Sequence, residues 1–310
     1  MSRSVSPLLP AALGVVATLL CGSALAQASQ PAQPDEPKLA SYALDIEAKL
    51  VSDRRNRGIS DSYNRPGAQI TFTYAHESGV IALLELGSVS KDVFPESNGL
   101  LALVATGYRW GKHDGWHYGA GIARELFPKA KARDLPTGID FSTGEPTGLV
   151  TTGFNTTYLV AEFGYKLLEG RYLYVASEDL RGNNTAVLCG SAYLPGLLAG
   201  GDPTKAINCY SQGFKHSRGS HLLDFDIKYP ISGQTKLTGH VGFQQLHNFR
   251  DGDLFDYKFG AIHTLHGFDI GLEVIGASLR NRDLAIVTEA SGKTKRLDQT
   301  ALLLSIAKRF

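Results

Sequence analysis

Asp224, Asp226 and Lys228 stand two residues apart, as do Asp45, Glu47 and Lys49 near the other end of the chain. A spacing of two puts side chains on one face of an extended strand, so each triplet presents a ladder of charge. Such a ladder either neutralises itself against its neighbours or lines a passage for water and ions. Two histidine pairs, His113 with His117 and His263 with His266, have spacings that suit a metal site on a helix. A tight turn interrupts each pair, and that logic fails. Ser177, His221 and Asn155 could meet as a lipid-facing hydrolytic trio near the outer ends of adjacent strands, although no nucleophile-elbow motif accompanies them. The chain has no metal or cofactor motif, so no cofactor is expected.

The elements that position these groups show a period of two. Tyr42, Leu44, Ile46, Ala48 and Leu50 alternate with Asp45, Glu47 and Lys49, and the pattern recurs at Trp116–Ile122, Leu223–Tyr229 and Phe268–Val274. Twelve such segments fall near 40–51, 67–77, 79–90, 99–110, 115–127, 155–167, 171–180, 219–229, 234–245, 256–266, 267–279 and 297–310. Their connections are long and short in turn, and the prolines beyond residue 38 fall in connections. The fold class predicted is all-β, a closed transmembrane antiparallel barrel of about twelve strands with short periplasmic turns and long extracellular loops. Tyr108, Trp110, Trp116 and Tyr118 flank one tight turn and read as an interfacial girdle.

Composition agrees. A mean hydropathy of -0.10 is too polar for a helical membrane protein. The balance of 31 basic and 30 acidic residues argues against nucleic-acid binding by phosphate neutralisation. Arg3, the apolar run from Leu8 to Cys21 and Ala24-Leu25-Ala26 form a secretory signal cleaved after residue 26. Residues 27–38 then make a flexible periplasmic leader, and 39–310 the barrel. Leu20 stands where a lipobox needs a small residue, which weakens a lipoprotein reading of Cys21. Cys189 and Cys209 flank one loop and are expected to form a local disulfide in an oxidising compartment, the alternative being two free thiols. The last strand ends on Phe310, in phase with its apolar face, as in the signal read by the outer-membrane assembly machinery.

At Leu50-Val51-Ser52-Asp53-Arg54-Arg55-Asn56-Arg57-Gly58-Ile59-Ser60, and again at Tyr74-Ala75-His76-Glu77-Ser78-Gly79, the chain resembles the TorF family of porins. Arg55 and Asn56 depart from that family's aromatic-containing pattern. The resemblance implies an outer-membrane, porin-like protein.

Twelve strands about 4.8 Å apart and tilted about 40° give a backbone diameter of about 24 Å and a lumen of roughly 10 Å. Its expected lining is Asp45, Glu47, Lys49, Glu85, Arg109, His117, Glu125, Glu162, Asp224, Asp226, Lys228, Lys236, His240, Lys258, Asp269 and Glu273. Acids lead bases nine to five, which predicts a non-enzymatic channel for ions or small hydrophilic solutes with a mild cation preference. Each of these residues could equally be a lumenal salt-bridge partner that fills the interior. The basic run Arg54-Arg55-Asn56-Arg57 is read as a solvated external loop, with a constriction at the mouth or a contact to lipopolysaccharide phosphates as the alternatives. Expected partners are outer-membrane lipid and lipopolysaccharide, the assembly machinery and small solutes. A lipid hydrolase, or an adhesion barrel acting through loops 128–154 and 181–218, are the rival functions. The oligomeric state is left open.

Overall fold

The computed structural model describes residues 41–112, 115–194, 200–288 and 291–310. The signal, the leader, Cys21 and His113 lie outside the described residues. Twelve strands close into one antiparallel barrel: β1 (Tyr42–Val51), β4 (Gly67–His76), β5 (Val80–Ser88), β6 (Leu100–Gly111), β7 (Trp116–Leu126), β10 (Thr156–Tyr165), β11 (Leu168–Val175), β12 (His221–Pro230), β13 (Thr235–Gln245), β14 (Leu254–Leu265), β15 (Phe268–Leu279) and β18 (Ala301–Arg309). Each pairs with its sequence neighbours in the barrel, and β1 closes on β18 over five residue pairs, from Glu47 opposite Arg309 to Val51 opposite Ser305. Closure gives every barrel strand a paired neighbour on both sides, as a strand crossing hydrocarbon requires.

Alternation sets what faces out. Phe259, Leu302 and Leu50 are 63%, 61% and 59% exposed, and the outward face stays apolar from strand to strand. A belt of that extent is stable against lipid rather than water, and the fold is a transmembrane β-barrel. Among the described residues no helix is long and apolar enough to cross a membrane. At the short-turn end Tyr108, Trp110, Trp116, Tyr118 and Tyr165 pack ring to ring on the outside. Short turns need tight backbone: His266 and Gly267 both take positive φ, the geometry that suits the twist of a two-residue hairpin.

Strand 7 is where the sequence expectation slips. β11 begins at Leu168, and Gly170, expected in the turn, lies inside the strand opposite Phe163. A Cβ on Gly170 would lie 2.3 Å from the Phe163 ring, so the glycine is there to seat an aromatic rather than to turn the chain. Pro230, also expected in a turn, is the last residue of β12, where the loss of an N–H is tolerated.

The long connections are themselves structured. They hold the small pairs β2 (Arg55–Asn56) with β3 (Ile59–Ser60) and β16 (Ile286–Thr288) with β17 (Thr294–Arg296). A larger hairpin joins β8 (Lys131–Ile139) to β9 (Pro146–Gly153), and as a separate two-stranded sheet it accommodates Pro136 and Pro146. Among the described residues two helices follow, α1 (Thr185–Ala192), capped by the Asn184 side chain accepting from the Val187 N–H, and α2 (Thr204–Tyr210). A disulfide joins Cys189 to Cys209, with Cα atoms 5.8 Å apart. The buried apolar clusters sit at this end: Val175, Leu180, Leu188 and Leu222 in one, Phe94, Leu101, Phe127 and Phe154 in another.

Candidate functional site

Three arginines from the long connections enter the loop end of the barrel and bridge its staves. Arg57 and Gly58, with φ of +48° and +74°, turn the chain between β2 and β3. The tip lies so close to β15 that a Cβ on Gly58 would fall 2.4 Å from the Gly276 carbonyl oxygen. From there Arg57 reaches Asp224 on β12 at 2.7 Å and Asp256 on β14 at 3.2 Å. His240 on β13 extends this chain, with Nε2 2.9 Å from Asp256 and Nδ1 2.9 Å from Asp226, which also accepts from Arg171 on β11 at 2.8 Å.

A second chain crosses the other side. Arg54 donates to Asp61 at 2.8 Å and to Glu85 on β5 at 2.9 Å. Arg181, from the connection after β11, donates to the same Asp61 at 2.8 Å and lies 3.3 Å from Glu125 on β7. The Tyr158 hydroxyl donates to Glu125 at 2.9 Å. The Arg181 guanidinium also stacks 5.0 Å over the Phe127 ring and 5.3 Å over Phe94. Burial alone would lower its pKa, but Asp61 and Glu125 outweigh burial and raise it above the ordinary arginine value. Buried charges persist because each has an opposite partner within hydrogen-bonding reach, and removing one partner strands the other.

Exposure divides the interior into two zones. In the loop-end chains the side chains of Asp61, Asp256 and Arg54 are 2%, 2% and 7% exposed. Toward the short turns the pairs are wet: Arg309 with Glu47 at 3.0 Å, Lys236 with Asp269 at 3.4 Å and Arg109 with Glu162 at 2.9 Å. Arg309 and Arg171 there are 49% and 46% exposed. A cavity of about 160 Å³ opens among Glu47, Lys49, Lys228, Lys236, Asp269 and Arg309. His117 pairs with Glu169 at 2.9 Å. Asp45 makes no ion pair among the described residues and buries one carboxylate oxygen without a partner.

Most of the sequence-named charges are thus drawn into two chains and one vestibule, and several participants were missed. The network adds the carboxylates Asp61, Glu169 and Asp256 and the cations Arg54, Arg57, Arg171, Arg181 and Arg309, so the ratio of acids to bases moves from nine to five to twelve to ten. Arg171, Glu169 and Arg309 were legible from the correct strand faces. Arg181 carried no signal. Reading the basic run as a solvated loop is overturned: Arg54, Arg55 and Arg57 are buried to 7%, 3% and 11% side-chain exposure.

The hydrolytic trio does not assemble. Ser177 accepts from the Thr157 N–H and donates to the Asp179 carbonyl, while Asn155 accepts from the Phe127 N–H. His221 instead bonds the Tyr172 hydroxyl, because Tyr172 and Tyr174 hold the outward face of β11. His263 bonds Thr235, and among the described residues no three His, Cys, Asp or Glu side chains gather as a metal site.

The chain is similar in structure to the NanC porin (12% identity, 86% of this chain and 98% of that chain, TM-score 0.46) and to the KdgM porin solved with disordered oligogalacturonate (7% identity, 86% and 98%, TM-score 0.43). It is also similar to the COG4313 outer membrane channel from Pseudomonas putida F1 (11% identity, 91% and 100%, TM-score 0.39). No curated protein matches the chain significantly. A family model does match, over residues 35–310, and the chain belongs to that family, Gcw_chp, described as a bacterial protein of unknown function.

Proposed function

We propose that this barrel resides in the bacterial outer membrane as a porin of the TorF kind and passes ions or small hydrophilic solutes by passive diffusion. The observation that carries the reading is the gradient of exposure along the interior, from wet ion pairs near the short turns to a dry arginine and carboxylate belt near the loops. A polar vestibule leading to a charged constriction is how a barrel sieves by size and charge. The twelve-to-ten ratio leaves at most a mild cation preference. Under the same reading Phe310, whose N–H bonds the Ile46 carbonyl at 3.0 Å and which is 66% exposed, serves as the assembly signal, and the outer rim contacts lipopolysaccharide.

Conductance decides the matter. Refolded protein in a planar bilayer is expected to give discrete steps, with a reversal potential in a salt gradient close to zero or slightly toward cations. Absence of steps from protein shown to be folded, with no solute flux in liposome swelling, would overturn the channel and turn attention to adhesion through the long connections.

A further inference from the structure

We infer that the vestibule at the short-turn end is a binding site for a small anion, a solute bearing a carboxylate or phosphate group held by the ammonium groups of Lys49 and Lys228. The site goes beyond the channel reading and does not require it.

Most charges at the cavity are already paired. Four carboxylates line the cavity with five cations. Glu47 accepts from Arg309 at 3.0 Å, and Asp269 accepts from Lys236 at 3.4 Å. Asp226 is shared between Arg171 at 2.8 Å and His240 at 2.9 Å. Glu273 accepts the Thr238 hydroxyl at 2.8 Å and lies 3.7 Å from Lys258. None of these four carboxylates remains for Lys49 or Lys228, and neither lysine forms an ion pair or hydrogen bond among the described residues; Asp45, the unpaired acid on the Lys49 face of β1, does not line the cavity. Both nevertheless line the same cavity, so its wall carries an uncompensated positive charge.

Unpaired lysines lining one space in a low-dielectric wall raise the local concentration of anions. The space is about 160 Å³, room for roughly five waters at about 30 Å³ each, or for one small acid that displaces them. Lysine suits the task because its ammonium is a mobile point charge with three donors, able to follow a carboxylate or a phosphate. A lysine that merely solvates its head could sit anywhere on the rim; these two come from β1 and β12, far apart in sequence, and converge on one cavity.

The test uses the full chain refolded in detergent, with folding checked by the heat-dependent shift in gel mobility. Titration with inorganic phosphate and, separately, with succinate is followed by calorimetry for the wild type, Lys49→Gln/Lys228→Gln and Lys49→Arg/Lys228→Arg. Binding at least tenfold weaker in the glutamine variant, and retained in the arginine variant, is the expected result. Preference between the two anions tells phosphate from carboxylate. Equal affinity in wild type and the glutamine variant, or no binding of either anion to folded wild type, overturns the site. Channel failure reads differently: binding intact without conductance upholds the site and removes the channel, whereas conductance without binding removes the site alone.

Discussion

Arg57 and Asp224 are 167 residues apart in sequence, yet the arginine Nη1 lies 2.7 Å from the aspartate Oδ1 inside the barrel. The same guanidinium reaches Asp256, so one loop residue holds two carboxylates of the β12–β14 wall together. Arg57→Met would leave Asp224 and Asp256 buried without that cation, at a cost of about 3–5 kcal/mol. The expected outcome is a lower urea midpoint, together with larger conductance and a stronger cation preference. Unchanged conductance and selectivity would show that the arginine belt does not limit the pore.

Gly170 carries a prediction about β11. Valine there would collide with the Phe163 ring and cost about 1–3 kcal/mol by overpacking. Pairing it with Phe163→Ala should restore much of the loss, because the clash is with that one ring. A double variant no better than Gly170→Val would show that the glycine is needed for the backbone instead. Urea titration of the folded fraction on gels measures both.

The disulfide acts locally. Cys189 and Cys209 close a loop with a separation of 20 residues, worth about 3 kcal/mol in lost unfolded-chain entropy. Reduction is expected to speed proteolysis within residues 176–220 while the strands stay protected and the barrel keeps its gel mobility. Collapse of the whole barrel on reduction would mean that the helical cap is part of its foundation.

Membrane placement can be read from fluorescence. The chain has two tryptophans, Trp110 and Trp116, 48% and 58% exposed on the outward face beside one short turn. In bilayers they should be quenched more by lipids brominated near the headgroup than by lipids brominated at the chain ends, about 15 Å deeper. Equal quenching by both would place the girdle elsewhere.

The strands were legible because their physics is local. Leu44, Asp45, Ile46 and Glu47 declare a two-faced strand without knowing their partners, and the turns follow from spacing. Gly170 misled because glycine serves both for turning and for admitting a neighbour's ring, and only the partner strand distinguishes the two. Arg54, Arg57 and Arg181 were hidden for a similar reason. A basic run in a polar loop has the composition of a solvated surface, and its burial depends on acids at Glu85, Glu125, Asp224 and Asp256, supplied by distant strands. The hairpin β8–β9, with its two prolines, likewise looked like an irregular connection.

The seam between the first and last strands has a kinetic consequence. β1 meets β18 over five residue pairs, whereas β1 and β4 share ten. Its partners, such as Glu47 and Arg309, are the most sequence-distant contacts in the fold, so loop-closure entropy delays them until the rest of the sheet has formed. Until then the curled sheet carries two open edges that hydrocarbon cannot satisfy. Insertion and ring closure are therefore coupled into one late, cooperative event, and a chain truncated before β18 has no stable resting state in the bilayer.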